Sequence, residues 1–327
     1  MHGLDESLQR LASFVTTRTS LQARWEALRW LAQHNLYFLC KGILGFDAAV
    51  HPEHRGLSLA FHGPLCRELD GLEVAYARRV DLWPRGHLKS HLGTIGKAIQ
   101  FYLQDHDVRV LLAGAAEAGP IKHLRAIKGH FERNPLLHWL FPECLPDKRQ
   151  LWATDKIVLP RLSNRHEPTF TCVGVGGHIT GDHFNVMIKD DLIDEKHRDS
   201  PALMAEAIDW HVLSKNLLDA LTIGVDWLIG TRWSVQDLYG WVLAHEPEYQ
   251  VRTIKQLQPD QTLIWPEIDT LDAVLKFRAL KPSLFATQRQ NDPRDASMVA
   301  FAAEWLQYYA IANQEGDLLI TAQEAAG

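Results

Sequence analysis

Apolar residues recur along this chain at two spacings, and the change from one to the other predicts its elements. Leu8, Leu11 and Phe14, then Trp25, Leu28, Trp30 and Leu31, fall at helical intervals, so residues 5 to about 45 read as helix broken only at Gly42 and Gly45. Residues 51–71 read as loop, with a possible helical turn over 65–69. An apolar stretch at 74–82 leads through a turn at 83–88 into a helical pattern at 89–104. The short β-rich run at 108–113 precedes a helix from 116 to about 133. Residues 134–166, rich in proline and polar side chains, read as an insertion with little regular structure. Strand-like runs return at 169–175 and 184–189, a helix capped by Ser200 covers 201–220, and 222–229 and 251–254 supply further strands. Strands alternating with helices predict an α/β fold, a mostly parallel sheet with helices on both faces. Residues 269–310 read as helical without further strands, and the last residues as a solvated tail.

Composition narrows the function. A formal net charge of -6 excludes a uniformly basic nucleic-acid coat but permits a local basic groove. The 4 cysteines (Cys40, Cys66, Cys144 and Cys172) form no CxxC pair, so they are expected to be reduced core thiols. The opening MHGLDESLQR lacks the order of a signal peptide, and no apolar run approaches the ~18 residues of a membrane span. A soluble intracellular protein with no membrane partner is the expectation.

Three stretches carry chemistry. Trp83-Pro84-Arg85-Gly86-His87-Leu88-Lys89-Ser90 lies at a predicted strand-to-helix junction. A phosphate-binding loop there needs inward backbone N–H groups, a lysine for β and γ phosphates and a hydroxyl for Mg²⁺; Lys89 and Ser90 supply the last two. Trp83 and Leu88 occupy the positions where the usual pattern has glycine, so a basic turn opening a helix is the competing explanation. The run Phe184 to Lys189 ends in Asp190-Asp191, carboxylates suited to a metal and an attacking water, with Glu195 beyond as a substitute base. An ordinary acidic loop at a strand end competes here. Ile229-Gly230-Thr231-Arg232-Trp233 ends another predicted strand, where Thr231 has the hydroxyl and place of a γ-phosphate sensor; a helix-starting turn capped by Ser234 competes.

Taken together these strings resemble the ATPase part of bacteriophage terminase large subunits. Pro84 to Ser90 resembles the family's variant Walker A, with Arg85 four residues before Lys89; Gly174 through Gly181 to Asp190-Asp191 resembles its Walker B stretch. Thr231-Arg232-Trp233 with Asp237 and Leu238 resembles its coupling motif, and Trp265-Pro266-Glu267, Phe285, Gln288, Pro293 and Phe301 to Trp305 its exit from the ATPase domain. The resemblance covers residues from roughly 74 to 305. It implies a RecA-like P-loop NTPase core at 71–260, a helical N-terminal region or lid at 1–70, and a helical appendage and linker at 261–327 without the family's nuclease. It implies ATP and Mg²⁺ as cofactors. Pro84, Arg85, Gly86, His87, Leu88, Lys89 and Ser90 would hold ATP, Ser90 and Asp190 the metal; Asp191 would act on water, Arg85 on the γ-phosphate, and Thr231 with Arg232 in coupling. It further implies double-stranded DNA, a portal protein, a small terminase subunit and a homo-oligomeric ring as partners, in the cytoplasm of an infected bacterial host at the procapsid portal vertex.

Alternatives stay open at this point. Another DNA-dependent motor of helicase type would share the core, and a non-catalytic module binding DNA or a portal is kept alive by Leu88 in place of glycine. The trans-acting arginine is unassigned among Arg125, Arg133, Arg161, Arg165 and Arg198, with His183 where some relatives carry an arginine. Lys122, Arg125, Lys128 and Arg133 could track DNA, but a solvated helix face is favoured. His51, His54, His62 and Cys66 have zinc-like spacing, yet among 17 histidines coincidence is favoured. Trp210 and Trp227 read as core.

Overall fold

The computed structural model describes residues 20–46, 56–72, 76–147, 149–177 and 181–293, with the backbone of 308–314 and 317–323. The strand-like runs assemble as β1 (Tyr76–Leu82), β2 (Val110–Gly114), β3 (Lys156–Ile157), β4 (Phe170–Gly174), β5 (Val186–Asp190), β6 (Gly224–Gly230) and β7 (Gln250–Thr253). They form one sheet in the order β3-β4-β2-β5-β6-β1-β7. Every neighbouring pair is parallel except β3 with β4 at one edge. Strands β2, β4, β5 and β6 are buried from end to end, because helices cover both faces. A strand covered on both sides needs apolar residues in succession rather than in alternation, which is why Val-Leu-Leu-Ala-Gly in β2 carries no period of two.

Among the described residues the α-helices of five residues or more are α1 (Leu21–His34), α2 (Leu59–Asp70), α3 (Ala98–Gln104), α4 (Ala118–Arg133), α5 (Pro135–Leu140), α6 (Glu195–Asp199), α7 (Pro201–Ser214), α8 (Leu238–His245), α9 (Leu271–Leu280) and α10 (Pro282–Gln288), and a single turn, Leu36–Phe38, follows α1. A π-helical segment, His91–Lys97, runs directly into α3. On one face, Val110, Leu112, Ile188, Trp227 and Ile229 of the sheet pack with Phe61, Leu92, Ile99 and Leu124. On the other, Leu111, Ala113, Met187 and Leu228 pack with Met204, Ala207, Leu238 and Val242. Fully burying one such side chain contributes roughly 1.5–3 kcal/mol, so these two layers carry most of the sheet's cohesion. The N-terminal helices belong to the first layer, since Leu36, Leu39 and Cys40 share its core with Trp83 and Leu92. At Gly93 a methyl group would collide with Ile229 and Trp227; its absence lets the π-helical segment lie directly on β6.

A polar cluster is embedded in the second layer. Lys189 Nζ lies 2.8 Å from Asp226 and 3.1 Å from His211 Nδ1, while His211 Nε2 meets Glu246 at 2.9 Å and Tyr249 donates to Asp226 at 2.9 Å. Lys189, Asp226 and His211 are all 0% exposed. Burial pushes the Asp226 carboxyl up, but the adjoining Lys189 ammonium and the hydrogen bonds from Lys189 and Tyr249 more than offset it, so Asp226 titrates below the ordinary carboxylate range. Lysine on one strand and aspartate two places along on the next are diagonal neighbours on one sheet face, and the pair fixes the β5–β6 register.

Three expectations change. Residues 59–70, expected as mostly loop, are helix α2: Ser58 caps it by accepting from Phe61 N, and Phe61, Leu65, Cys66 and Leu69 form a buried helical stripe despite Pro64 inside. The insertion at 134–166 holds α5, started by Asn134 accepting from Leu136 N and Leu137 N with Pro135 at the first position, and the edge strand β3. The C-terminal region was expected as helix without strands. Helices α9 and α10 are present, but β8 (Tyr308–Gln314) and β9 (Asp317–Gln323) pair as an antiparallel hairpin. Among the described residues no helix is long and apolar enough to cross a membrane.

Several imidazoles are held neutral by the fold. Burial drives His62 down to about 3 and both His87 and His130 to about 4, and it also lowers His91 and His211. Each has a folded-state pKa below its unfolded value of about 6.5, so below that pH the unfolded chain binds protons that the fold excludes. Stability is therefore expected to fall as pH drops below about 6.5, each such histidine adding a slope of up to about 1.4 kcal/mol per pH unit. Urea midpoints measured between about pH 8 and pH 5 check this; a flat profile would mean that the imidazoles protonate without leaving the fold.

Candidate active site

Three adjacent strands, β5, β6 and β1, end on the same edge of the sheet, and the segments that follow them converge. After β1 the chain passes through Trp83 and Pro84 into the loop Arg85 to Leu88. Gly86 has φ +84° and Leu88 φ +61°, both left-handed. Gly86 takes that conformation without penalty, whereas for Leu88 it costs roughly 1–2 kcal/mol. The loop therefore has the left-handed turn that glycine normally supplies before the lysine, with the leucine side chain 8% exposed as compensation. Asp191, at the end of β5, is also left-handed, with φ +48°.

Lys89 sits between these strand ends. Its Nζ lies 2.7 Å from Asp191 Oδ1 and donates at 2.6 Å to Thr231 Oγ1, just beyond β6. Thr231 in turn donates to the Trp83 carbonyl at 3.3 Å. Backbone bonds fix the frame: Asp191 N donates to Ile229 O, and Ala115 N donates to Asp191 O. The Asp191 carboxylate is about half exposed (49%), its backbone and inner oxygen packed into the strand ends. That enclosure raises its pKa; Lys89 pulls it down and Asp190 pushes it further up.

Asp190 faces the opposite side of the strand and is buried, with 2% of its side chain exposed. Its Oδ2 accepts from Thr94 Oγ1 at 2.7 Å and lies 3.4 Å from His123 Nε2, while Oδ1 has no hydrogen-bond partner among the described residues. A buried carboxylate oxygen without a donor is costly, and a hydrated cation is one group that would satisfy it. Ser90, half-buried, opens the helical segment that carries Thr94.

A strap from the C-terminal helices ties the loops together. Arg85 N donates to Gln288 O, Arg85 Nη1 lies 3.4 Å from Gln288 Oε1, and Arg289 Nη1 donates to Arg85 O. Gln288 Nε2 donates to Arg232 O, and Arg232 N donates to Asn291 Oδ1. The Arg232 guanidinium is clamped by Asp237 at 3.0 and 3.1 Å, so it shapes the loop after β6 rather than facing Lys89.

Of the residues singled out from sequence, Arg85, Gly86, Leu88, Lys89, Asp190, Asp191 and Thr231 come together. Pro84 takes part through its backbone, its carbonyl accepting from His87 N. The His87 ring, 1% exposed, turns into a cluster with Phe61 and Trp265, with Nδ1 3.2 Å from the Arg85 carbonyl of the loop and Nε2 unpartnered among the described residues. Glu195 is not brought to Lys89. It starts α6 with its side chain 71% exposed and pairs with Arg198 at 3.1 Å, because Leu192 and Ile193 are buried and carry the chain away from the strand end. Thr94, His123, Gln288 and Asn291 complete the surroundings; only Gln288 had been marked, as part of the resemblance. Among the arginines left open, Arg125 and Arg165 are exposed, Arg133 pairs with Glu132, and Arg161 is tied to the Glu167 carbonyl. Lys128 donates to Ala153 O, which takes it out of a free basic face. His62 and Cys66 are buried in the core, and His51 and His54 lie outside the described residues, so no zinc cluster forms from the two described members. Trp227 is core, but Trp210 is only half-buried and lines a cavity of about 680 Å³ with Gly177, Glu206 and Leu213.

The left-handed φ at Leu88 predicts an inverted substitution order. Replacing it with glycine relieves the backbone but loses about 1.5–3 kcal/mol of burial, a net destabilisation. Alanine loses most of that burial and keeps the strain. Leu88→Gly is expected to be more stable than Leu88→Ala by about 1 kcal/mol, the reverse of the order at a helical position. Urea unfolding of both variants measures it; alanine the more stable of the two would mean the loop relaxes out of this conformation.

No protein-family model matches the chain, and no curated protein matches it.

Proposed function

We propose that the chain is a P-loop ATPase, and more narrowly the ATP-hydrolysing part of a DNA-packaging terminase large subunit. The observation that carries the first step is Lys89 held between Asp191 and Thr231 at the ends of β5 and β6, with a left-handed loop immediately before it. Residues far apart in sequence meet at the carboxyl ends of parallel strands, where open α/β sheets bind ligands. A lysine, a loop of backbone N–H groups and paired carboxylates suit a nucleoside triphosphate better than an uncharged ligand.

In this scheme Lys89 binds the β and γ phosphates, and Arg85, on the same loop, contacts the γ-phosphate. Phosphate has to draw Lys89 off Asp191, so nucleotide entry frees the carboxylate that positions the attacking water and takes up its proton. The raised pKa of Asp191 brings it nearer to what a general base at neutral pH requires. Ser90 and Asp190 would hold Mg²⁺, and the unpartnered Asp190 Oδ1 fits that assignment. Mg²⁺ when bound offsets charge on the phosphoryl oxygens. Loss of the γ-phosphate returns Lys89 to Asp191; Thr231, bonded to Lys89 throughout, feels that shift, and Gln288 and Asn291, bonded to the neighbouring Arg232, carry it into the C-terminal helices.

The narrower assignment rests on the order of four motifs and their resemblance to terminases. It brings double-stranded DNA, a portal protein, a small terminase subunit, a ring of copies and a place at the procapsid in an infected bacterial cytoplasm. Leu88 reproduces the left-handed loop without glycine, which favours a working site over a non-catalytic module.

Mg²⁺-dependent ATP binding and hydrolysis, with and without double-stranded DNA, tests both steps. Lys89→Ala is expected to lose binding and turnover; Asp191→Asn should keep binding and lose about 10²–10⁴-fold in turnover. A folded wild type that binds no nucleotide would end the P-loop assignment. Hydrolysis indifferent to double-stranded DNA but stimulated by single strands would replace packaging with a helicase-type motor.

A further inference from the structure

The geometry points to a second metal site, separate from the Lys89 centre, formed by His106, Glu143 and Cys144 and suited to a thiophilic divalent cation such as zinc. One ligand atom from each residue lies within 4.8 Å of the other two. His106 Nε2 lies 3.5 Å from Cys144 Sγ. A tetrahedral zinc ion, with Zn–S about 2.3 Å and Zn–N about 2.0–2.1 Å, sets its sulfur and nitrogen ligands about 3.5 Å apart. The imidazole and the thiol already stand at that separation.

Each donor is positioned by a different part of the fold. His106 follows the end of α3, its ring stacked on Tyr102 at 5.0 Å between centroids. Glu143 and Cys144 share a short 3-10 turn, Pro142–Cys144, closed by Cys144 N donating to Phe141 O. Arg29 lies over the Phe141 ring at 4.5 Å and holds the Glu143 carboxylate at 2.5 and 3.1 Å. Each carboxylate oxygen has two lone pairs, so Glu143 can keep Arg29 and still offer a lone pair inward. Cys144 is 1% exposed while the Glu143 side chain is 40% exposed, so the carboxylate marks the solvent side from which an ion would enter. Sulfur with imidazole selects zinc over magnesium, so this site and the Asp190 site would take different metals. On coordination the thiol gives up its proton to solvent and the sulfur binds as thiolate. The bound ion would staple the turn after α5 to the far end of the helix that begins at the phosphate-loop lysine.

The competing explanation is a metal-free S–H···N contact, with Glu143 serving Arg29 alone. Titration of the full chain, purified in chelator, with Co²⁺ as the probe separates the two. A near-ultraviolet thiolate-to-cobalt band saturating at one Co²⁺ per chain and displaced by Zn²⁺ is expected, absent from Cys144→Ser. His106→Gln should weaken Co²⁺ binding by more than about tenfold. A folded wild type without the band overturns the site, as does a band of full strength in Cys144→Ser, because another thiol would then carry it. Should Cys144→Ser not fold, unchanged Co²⁺ affinity in His106→Gln overturns it on its own. None of these outcomes depends on ATP hydrolysis.

Discussion

One ammonium group sets the arrangement of this sheet edge. Asp190 and Asp191 follow each other at the end of a buried strand, and the charge of Asp190 adds to the cost of ionising Asp191. Lys89 answers that at 2.7 Å from Asp191, while Thr94 and His123 approach Asp190 from the other side. Holding Lys89 there requires the left-handed turn at Leu88, which costs roughly 1–2 kcal/mol of backbone strain. Burying the leucine side chain recovers about 1.5–3 kcal/mol, so the sequence can dispense with glycine at that position. Strain of this kind collects where a site needs it.

Strand β5 shows how closely the site depends on register. Ile188 faces the first core layer, Lys189 the second and Asp190 the first again. A slip of one residue would turn Lys189 toward Thr94 and send Asp190 into the layer of His211 and Glu246. The buried Lys189–Asp226 pair opposes that slip. Breaking a buried pair by removing one partner typically costs about 3–5 kcal/mol, more than a single side chain's burial in either apolar layer. The apolar layers hold the sheet together, and the ion pair specifies which way its strands face.

Much of this was legible in the chain. The apolar or strand-like runs at 74–82, 108–113, 169–175, 184–189, 222–229 and 251–254 overlap β1, β2 and β4 to β7, and Lys89 reads as lying at a strand-to-helix junction, Asp190, Asp191 and Thr231 at strand ends. What stayed hidden has physical causes. Thr94 lies on a π-helical segment, where the 3.6-residue period that orients side chains does not hold, so its aim at Asp190 could not be read. His123 reaches the site from α4, which is adjacent only through the sheet order. Helix α2 was obscured by Pro64 and Gly63, although Ser58 and the stripe Phe61, Leu65, Leu69 are cap and periodicity signals. The C-terminal hairpin was masked by residues such as Ala312 and Gln314 that favour helix elsewhere, a preference which pairing with Asp317–Gln323 overrides.

The contacts of Lys89 also bear on how the site would work if it binds phosphate as proposed. Lys89 has two partners of unequal kind: a carboxylate at 2.7 Å and a neutral hydroxyl at 2.6 Å. An incoming triphosphate competes chiefly with the carboxylate, since charge-assisted hydrogen bonds are roughly twice as strong as neutral ones. It can win because it offers more negative charge than a single carboxylate. Asp191 then loses its cation, and its affinity for a proton rises further from an already raised level. Substrate binding would thus make the base stronger at the moment a water needs activating, and leave it masked when the site is empty. A lysine of fixed charge and reach, moving between a carboxylate and a phosphate, is enough to link occupancy of the loop to the competence of the strand beside it.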